Sequence, residues 1–102
     1  MNYSIKPYIS CDDIQLSTFF TEINALTLIE LNDGLENFEV AIKGSVLDFY
    51  WGLHVSEMNI GADFTDLEYQ GTLVRKFPTH ELYNLLDTYR KAMMDYEIKY
   101  NS

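Results

Sequence analysis

The chain has 102 residues, 47% hydrophobic and 23% charged, with sixteen acids against seven lysines and arginines and a formal net charge of −9. That length and balance suit one globular domain over residues 1–102, able to bury a modest core without metal or disulfide staples, and they exclude a disordered or low-complexity chain. No apolar run approaches the length of a bilayer span, "MNYSIKPYIS" lacks the apolar centre of a secretory signal, and the one cysteine, Cys11, has no internal disulfide partner, so a soluble cytoplasmic protein is the expectation.

In chain order, "NYSIKPYI" carries aromatic and β-branched residues suited to a strand, and Pro7 places it at a sheet edge because proline cannot donate to a ladder. "CDDIQLSTFFTEINA" offers Asp12 as an N-cap and Leu16, Phe19, Phe20 and Ile23 at helical spacing, which predicts a short helix; Thr18 to Thr21 also suit a strand. "ALTLIELNDGLENFEVAIKG" sets two strand-like runs around Asn32, Asp33 and Gly34, and Asp-Gly predicts a tight hairpin turn there. Gly44 and Ser45 offer a second turn into "LDFYWGLHV", whose strict alternation puts Leu47, Phe49, Trp51, Leu53 and Val55 on a core face and Asp48, Tyr50, Gly52 and His54 on the other. "SEMNIGADFTD" reads as a loop and "LEYQGTLVRKF" as a strand in which Gly71 marks a bulge or a close approach. After Pro78, Thr79 can cap a final helix whose stripe runs Leu82, Leu85, Leu86, Tyr89, Met93 and Tyr96. The expected fold is α+β: an antiparallel sheet of about five strands, a C-terminal helix packed on one face, and a short helix near the N-terminus.

The distribution of charge says more than its total. Residues 1–70 hold two bases against twelve acids, whereas residues 71–102 hold five bases and four acids. A field of that sign repels nucleic acid and anionic membranes and attracts basic proteins. No glycine-rich phosphate loop, helical His-Glu-x-x-His pair, paired zinc cysteines or Gly-x-Ser-x-Gly elbow occurs, and "EMNIGADFTDLE" lacks calcium-loop spacing, so no enzyme activity, cofactor or metal is expected. Asp12 and Asp13 read as a helix cap rather than a cation site.

Two groups of residues stand out as binding candidates. Tyr50 and His54 share one strand face and combine apolar area with a hydrogen-bonding tip; either that face is open to a partner or a helix or loop covers it. Glu57, Asp63, Asp66 and Glu68 lie among Met58, Ile60, Phe64 and Tyr69 with no base between them, a pattern able to dock on a basic cleft. Asp33, Glu36 and Glu39 extend the same acidity.

In size, acidity, terminal helix and the succession "FEVAIKG", "FYWGLHV" and "LEYQGT", the segment from Phe38 to Met94 resembles the small acidic immunity proteins with which bacteria neutralise their own nuclease toxins, including those of contact-dependent growth inhibition. The resemblance implies a non-enzymatic, stoichiometric inhibitor that binds a cognate toxin domain in the cytosol; the charge and strand-face readings above make Asp33, Glu36, Glu39, Tyr50, His54, Glu57, Asp63, Asp66, Glu68 and Tyr69 the residues expected to dock on a basic nuclease cleft. The alternatives from other classes are a nucleic-acid-mimicking phage anti-defence protein and a small hydrolase.

Overall fold

The computed structural model describes residues 3–5, 8–44 and 48–101, with side chains over 8–44 and 48–96. Pro7, Ser45 and Leu47, each given a role above, lie outside the described residues. The fold is α+β, with an antiparallel sheet carrying the C-terminal helix on one face. Strands β1 (Tyr3–Ile5) and β2 (Ile9–Cys11) pair as a separate antiparallel ribbon; β3 (Phe49–Gly52), β4 (Ser56–Ile60), β5 (Phe64–Tyr69) and β6 (Thr72–Pro78) form a four-stranded meander in sequence order. The helices are α1 (Ser17–Asn24), α2 (Leu28–Ile42) and α3 (Thr79–Asn101).

The first helix obeys its apolar spacing, since Leu16, Phe19, Phe20 and Ile23 are all buried. Its start departs from expectation by one residue. Asp13, not Asp12, accepts the Gln15 amide at 2.9 Å and caps a single 3-10 turn, Ile14–Leu16, that leads into α1. Arg75 Nη2 reaches the same carboxylate at 2.7 Å, and this hydrogen bond, followed by that from the Gln15 amide, holds the Asp13 carboxyl below its ordinary pKa. At the other end of α1 the Asn24 side chain accepts from the Ile9 amide and donates to the Ile9 carbonyl, tying the ribbon to the helix.

The hairpin expected around Asn32, Asp33 and Gly34 is instead helix. Residues Leu28–Ile42 are one uninterrupted α-helix, so "FEVAIKG" is its last turns and its exit and not a strand. Two local features outweigh the Asp-Gly turn signal. Thr27 and Glu30 form a complete capping box, the Thr27 hydroxyl accepting from the Glu30 amide and the Glu30 carboxylate from the Thr27 amide. Leu31, Leu35 and Phe38 then recur at helical spacing and are fully buried. Gly34 is tolerated mid-helix because space is needed there: a Cβ on it would lie 2.2 Å from the Trp51 ring. Gly44, at φ 88°, closes the helix through its amide to the Ala41 carbonyl; the turn expected of it with Ser45 runs into residues outside those described.

Two further expectations are revised in the sheet. "SEMNI" is strand β4, not loop, and "LEYQGTLVRKF" is two strands and not one. Gln70 (φ 50°) and Gly71 (φ 86°) make a two-residue turn with both central residues left-handed, the geometry whose twist matches a right-handed hairpin. The bulge lies elsewhere: Leu67 pairs with Arg75 and Glu68 with Leu73, leaving Val74 as the extra residue. Strand β3 also ends earlier than the alternation suggests. The Leu53 amide donates to the Ser56 carbonyl at 2.8 Å across a turn made by His54 and Val55.

One sheet face is core. Phe49 and Trp51, then Met58 and Ile60, Thr65 and Leu67, and Phe77 face the helices and meet Phe19, Leu31, Leu35, Phe38, Leu82, Leu86 and Tyr89. Within the α3 stripe Leu82, Leu86 and Tyr89 are buried, Leu85 and Met93 half-buried, and Tyr96 exposed. Thr79 opens α3 with its hydroxyl buried, donating to the Gly61 carbonyl at 2.7 Å and meeting the Thr65 hydroxyl at 2.9 Å. Cys11 is half-buried against the core. Among the described residues no helix is long and apolar enough to cross a membrane.

Candidate functional site

Side chains alternate along a strand, so the register that turns Trp51, Met58 and Leu67 to the core turns their neighbours the other way. Across the sheet Tyr50, Asn59, Asp66 and Lys76 are aligned, and Gly52, Glu57, Glu68 and Leu73 form the adjacent row, with Phe64 beside Pro78 at one end. No described helix covers this face. Tyr50 is 62% exposed, Leu73 57% and Phe64 53%. The second face of "LDFYWGLHV" is therefore open, and three large apolar groups stand on it among carboxylates.

The polar groups of the face are incompletely satisfied. Glu57 and Glu68 sit directly opposite each other on β4 and β5, an arrangement of like charges that destabilises a sheet. Asn59 donates to Glu68 at 2.7 Å and relieves one of the two. One Asp66 oxygen is buried with no hydrogen-bond partner among the described residues, while Lys76 Nζ stands 3.8 Å from it and 5.3 Å above the Phe64 ring. A cation supplied from outside would meet two aligned acids and a half-satisfied third.

A second feature adjoins the face at Gly52, over which the Tyr50 ring lies. A cleft of about 540 Å³ opens between α2 and the β3–β4 turn, lined by Glu22, Glu30, Asp33, Trp51, Leu53 and His54 among others. Glu22 reaches from α1 to clamp that turn, its two carboxylate oxygens accepting from the Val55 amide at 2.7 Å and the Ser56 amide at 2.8 Å. Burial opposes the charge on Glu22, but the hydrogen bonds from Ser56 and Val55 win and keep its pKa below the ordinary value. Glu30 is held low by its bonds to Thr27.

The candidate residues thus fall into three places. Tyr50, Glu57, Asp66 and Glu68 share the open sheet face, with Asp63 exposed in the β4–β5 connection beside Phe64. Asp33 and His54 belong to the cleft. Glu36 is exposed on α2, whereas Glu39 is engaged inside the molecule, accepting from the Tyr83 hydroxyl at 2.9 Å and lying 3.5 Å from Arg90. Tyr69 is not on the acidic face: its hydroxyl donates to the Gln15 carbonyl at 2.6 Å and accepts from the Phe19 amide, and burial raises its pKa. Sequence reasoning missed Trp51, Gly34 and the Glu22 clamp as parts of one feature. The Thr27-x-x-Glu30 box and the helical spacing beyond it were the signals that pointed there. Among the described residues no group of three or more His, Cys, Asp and Glu side chains could hold a metal ion. Comparison with protein-family models, with curated proteins and with solved structures finds no match to this chain.

Proposed function

We propose that the chain is a stoichiometric inhibitor of the immunity type, which binds a basic bacterial toxin nuclease in the cytoplasm and occupies its substrate cleft. The observation that carries this reading is the open sheet face, where the opposed Glu57 and Glu68 stand between exposed Tyr50, Leu73 and Phe64. An arrangement that costs stability in the free protein is relieved when arginine or lysine side chains arrive, and the apolar groups supply contact area that excludes water. Charge then guides encounter and sets register, while the aromatic groups slow dissociation. Nucleic acid is displaced because the carboxylates take up the cations that would hold its phosphates.

The experiment mixes the protein with the product of the gene directly upstream of its own, assayed for nuclease activity; a product without that activity counts against the reading. Activity should titrate to zero at one equivalent, and the pair should co-elute as a complex. Glu57→Lys with Glu68→Lys should keep the circular dichroism of the parent and lose inhibition. An unaltered titration by that double variant would remove the sheet face as the inhibitory surface.

A further inference from the structure

The cleft beside α2 is chemically different from the sheet face and selects a narrower ligand. Its lining includes three carboxylates, Glu22, Glu30 and Asp33, and no lysine or arginine. With His54 the one titratable base of the lining, the three carboxylates disfavour an anionic ligand, and a wholly apolar one would strip water from them without replacing it. A metal ion is poorly served as well, because both Glu22 oxygens and one of Glu30 are committed to backbone amides. Those amides fix the two carboxylates without cancelling their charge. Asp33 is exposed and makes no hydrogen bond or ion pair among the described residues, so it is the acid free to engage a ligand.

The apolar part of the cleft is equally specific. Trp51 lines it, with its six-membered ring laid against the backbone of α2 at Gly34 and set edge-on to Phe38 at 6.2 Å and 84°. Leu26 and Leu53 continue the apolar wall. An indole beside a free carboxylate, with aliphatic walls leading in, matches one side chain in all its parts. A guanidinium is planar, stacks on aromatic rings, presents paired donors to a carboxylate and loses its hydration more readily than an ammonium.

We infer that the cleft receives one arginine side chain of the basic partner, its guanidinium between the Asp33 carboxylate and the Trp51 indole and its methylene stem along Leu26 and Leu53. The source of the arginine rests on the inhibitor reading; the chemistry of the cleft does not. Docking there would place the partner's chain along the rim at Gly52, next to Tyr50 and the acidic sheet face, so one arginine would fix the register in which the broader charged surfaces meet.

The test uses the full isotope-labelled chain and the peptide acetyl-Gly-Arg-Gly-amide, with lysine and citrulline counterparts. Trp51 is the single tryptophan, so one indole N–H resonance reports the cleft. The arginine peptide should shift that resonance saturably, the lysine peptide should bind more weakly, and the uncharged citrulline peptide should leave it unmoved. Asp33→Asn should weaken the arginine peptide about tenfold, as loss of one charge-assisted hydrogen bond implies, whereas Glu57→Lys with Glu68→Lys should leave it binding as before. Absence of a saturable indole shift, or equal binding by Asp33→Asn, overturns the inference. The two proposals fail separately: arginine-peptide binding without inhibition of the nuclease keeps the cleft and removes the inhibitor reading. Unchanged dissociation of the nuclease from Asp33→Asn keeps the inhibitor reading and removes the cleft from its interface.

Discussion

At the scale of single residues, Gly34 shows how one position trades local against tertiary preference. Alanine is the better helix former by about 1 kcal/mol, yet its Cβ would lie 2.2 Å from the Trp51 ring, so either the ring or the helix must move. Overpacking of that kind costs about 1 to 3 kcal/mol. Gly34→Ala should therefore destabilise the protein in urea and change the Trp51 emission, although α2 gains propensity; a more stable variant with unchanged emission would mean that the ring is free to shift. Glu22 is the second decisive residue. Its pKa is lowered below the ordinary 4.5 in the folded state, so its contribution is fully present above the unfolded value and is lost as pH falls through the folded one. Glu22→Gln keeps the shape but removes the charge and turns one of the two acceptors into an NH2 group facing a backbone amide, and should cost about 1.5 to 3 kcal/mol at neutral pH. Denaturant titrations at descending pH should show the gap between parent and variant narrowing below pH 4.5, because protonated Glu22 is itself a neutral acceptor. A gap independent of pH would leave the clamp without an electrostatic part.

Among the elements, α2 and α3 form one layer and hold each other by polar as well as apolar contacts. Arg90 donates to Asp87 at 2.6 Å within α3 and also reaches Asn32 and Glu39 on α2, where the Tyr83 hydroxyl meets the same Glu39. Beneath them Leu82, Leu86 and Tyr89 close the core against the sheet. Leu86 is fully buried, so Leu86→Ala should cost about 2 to 5 kcal/mol through lost transfer energy and a residual cavity. A lowered urea midpoint at unchanged slope is the expected reading, and a midpoint within error would mean that the stripe is not core.

For the molecule as a whole, the internal pairing of bases matters as much as their number. Arg75 is taken by Asp13, Arg90 by Asp87 and Glu39, Lys91 by Asp87 and Lys76 by Asp66. Among the described residues most of the lysines and arginines are engaged by acids of the fold, which leaves other acids, Asp33, Glu36, Glu57, Asp63 and Glu68 among them, to set the external field. Glu57, Asp66 and Glu68 replaced together by alanine should slow association with the basic partner and flatten its salt dependence, while thermal stability holds or rises as the opposed pair is removed. Association rates measured over a salt series provide the check. An unchanged slope would place the encounter surface elsewhere.

What could be read from residues alone was whatever depends on near neighbours in the chain. The stripe of α3, the spacing of Leu16, Phe19, Phe20 and Ile23, the alternation through Phe49 and Trp51, and the acidity of the first seventy residues all follow from local pattern and charge, and α+β architecture follows from them. Asp33-Gly34 misled because the same dipeptide suits a hairpin turn and a helix interior, and the choice was made by the capping box at Thr27 and by Trp51, seventeen positions further on, filling the space a side chain would have taken. Gln70-Gly71 became a turn because β5 and β6 could pair only if the chain reversed there, and "SEMNI" a strand because it pairs with both β3 and β5. Tyr69 was drawn off the acidic face by the register of β5, which points it at Gln15 and Phe19, fifty or more residues back in the chain. Which carboxylates share a surface, and which are used up inside the molecule, is decided by strand register and helix packing, because these alone bring residues distant in the chain within bonding reach.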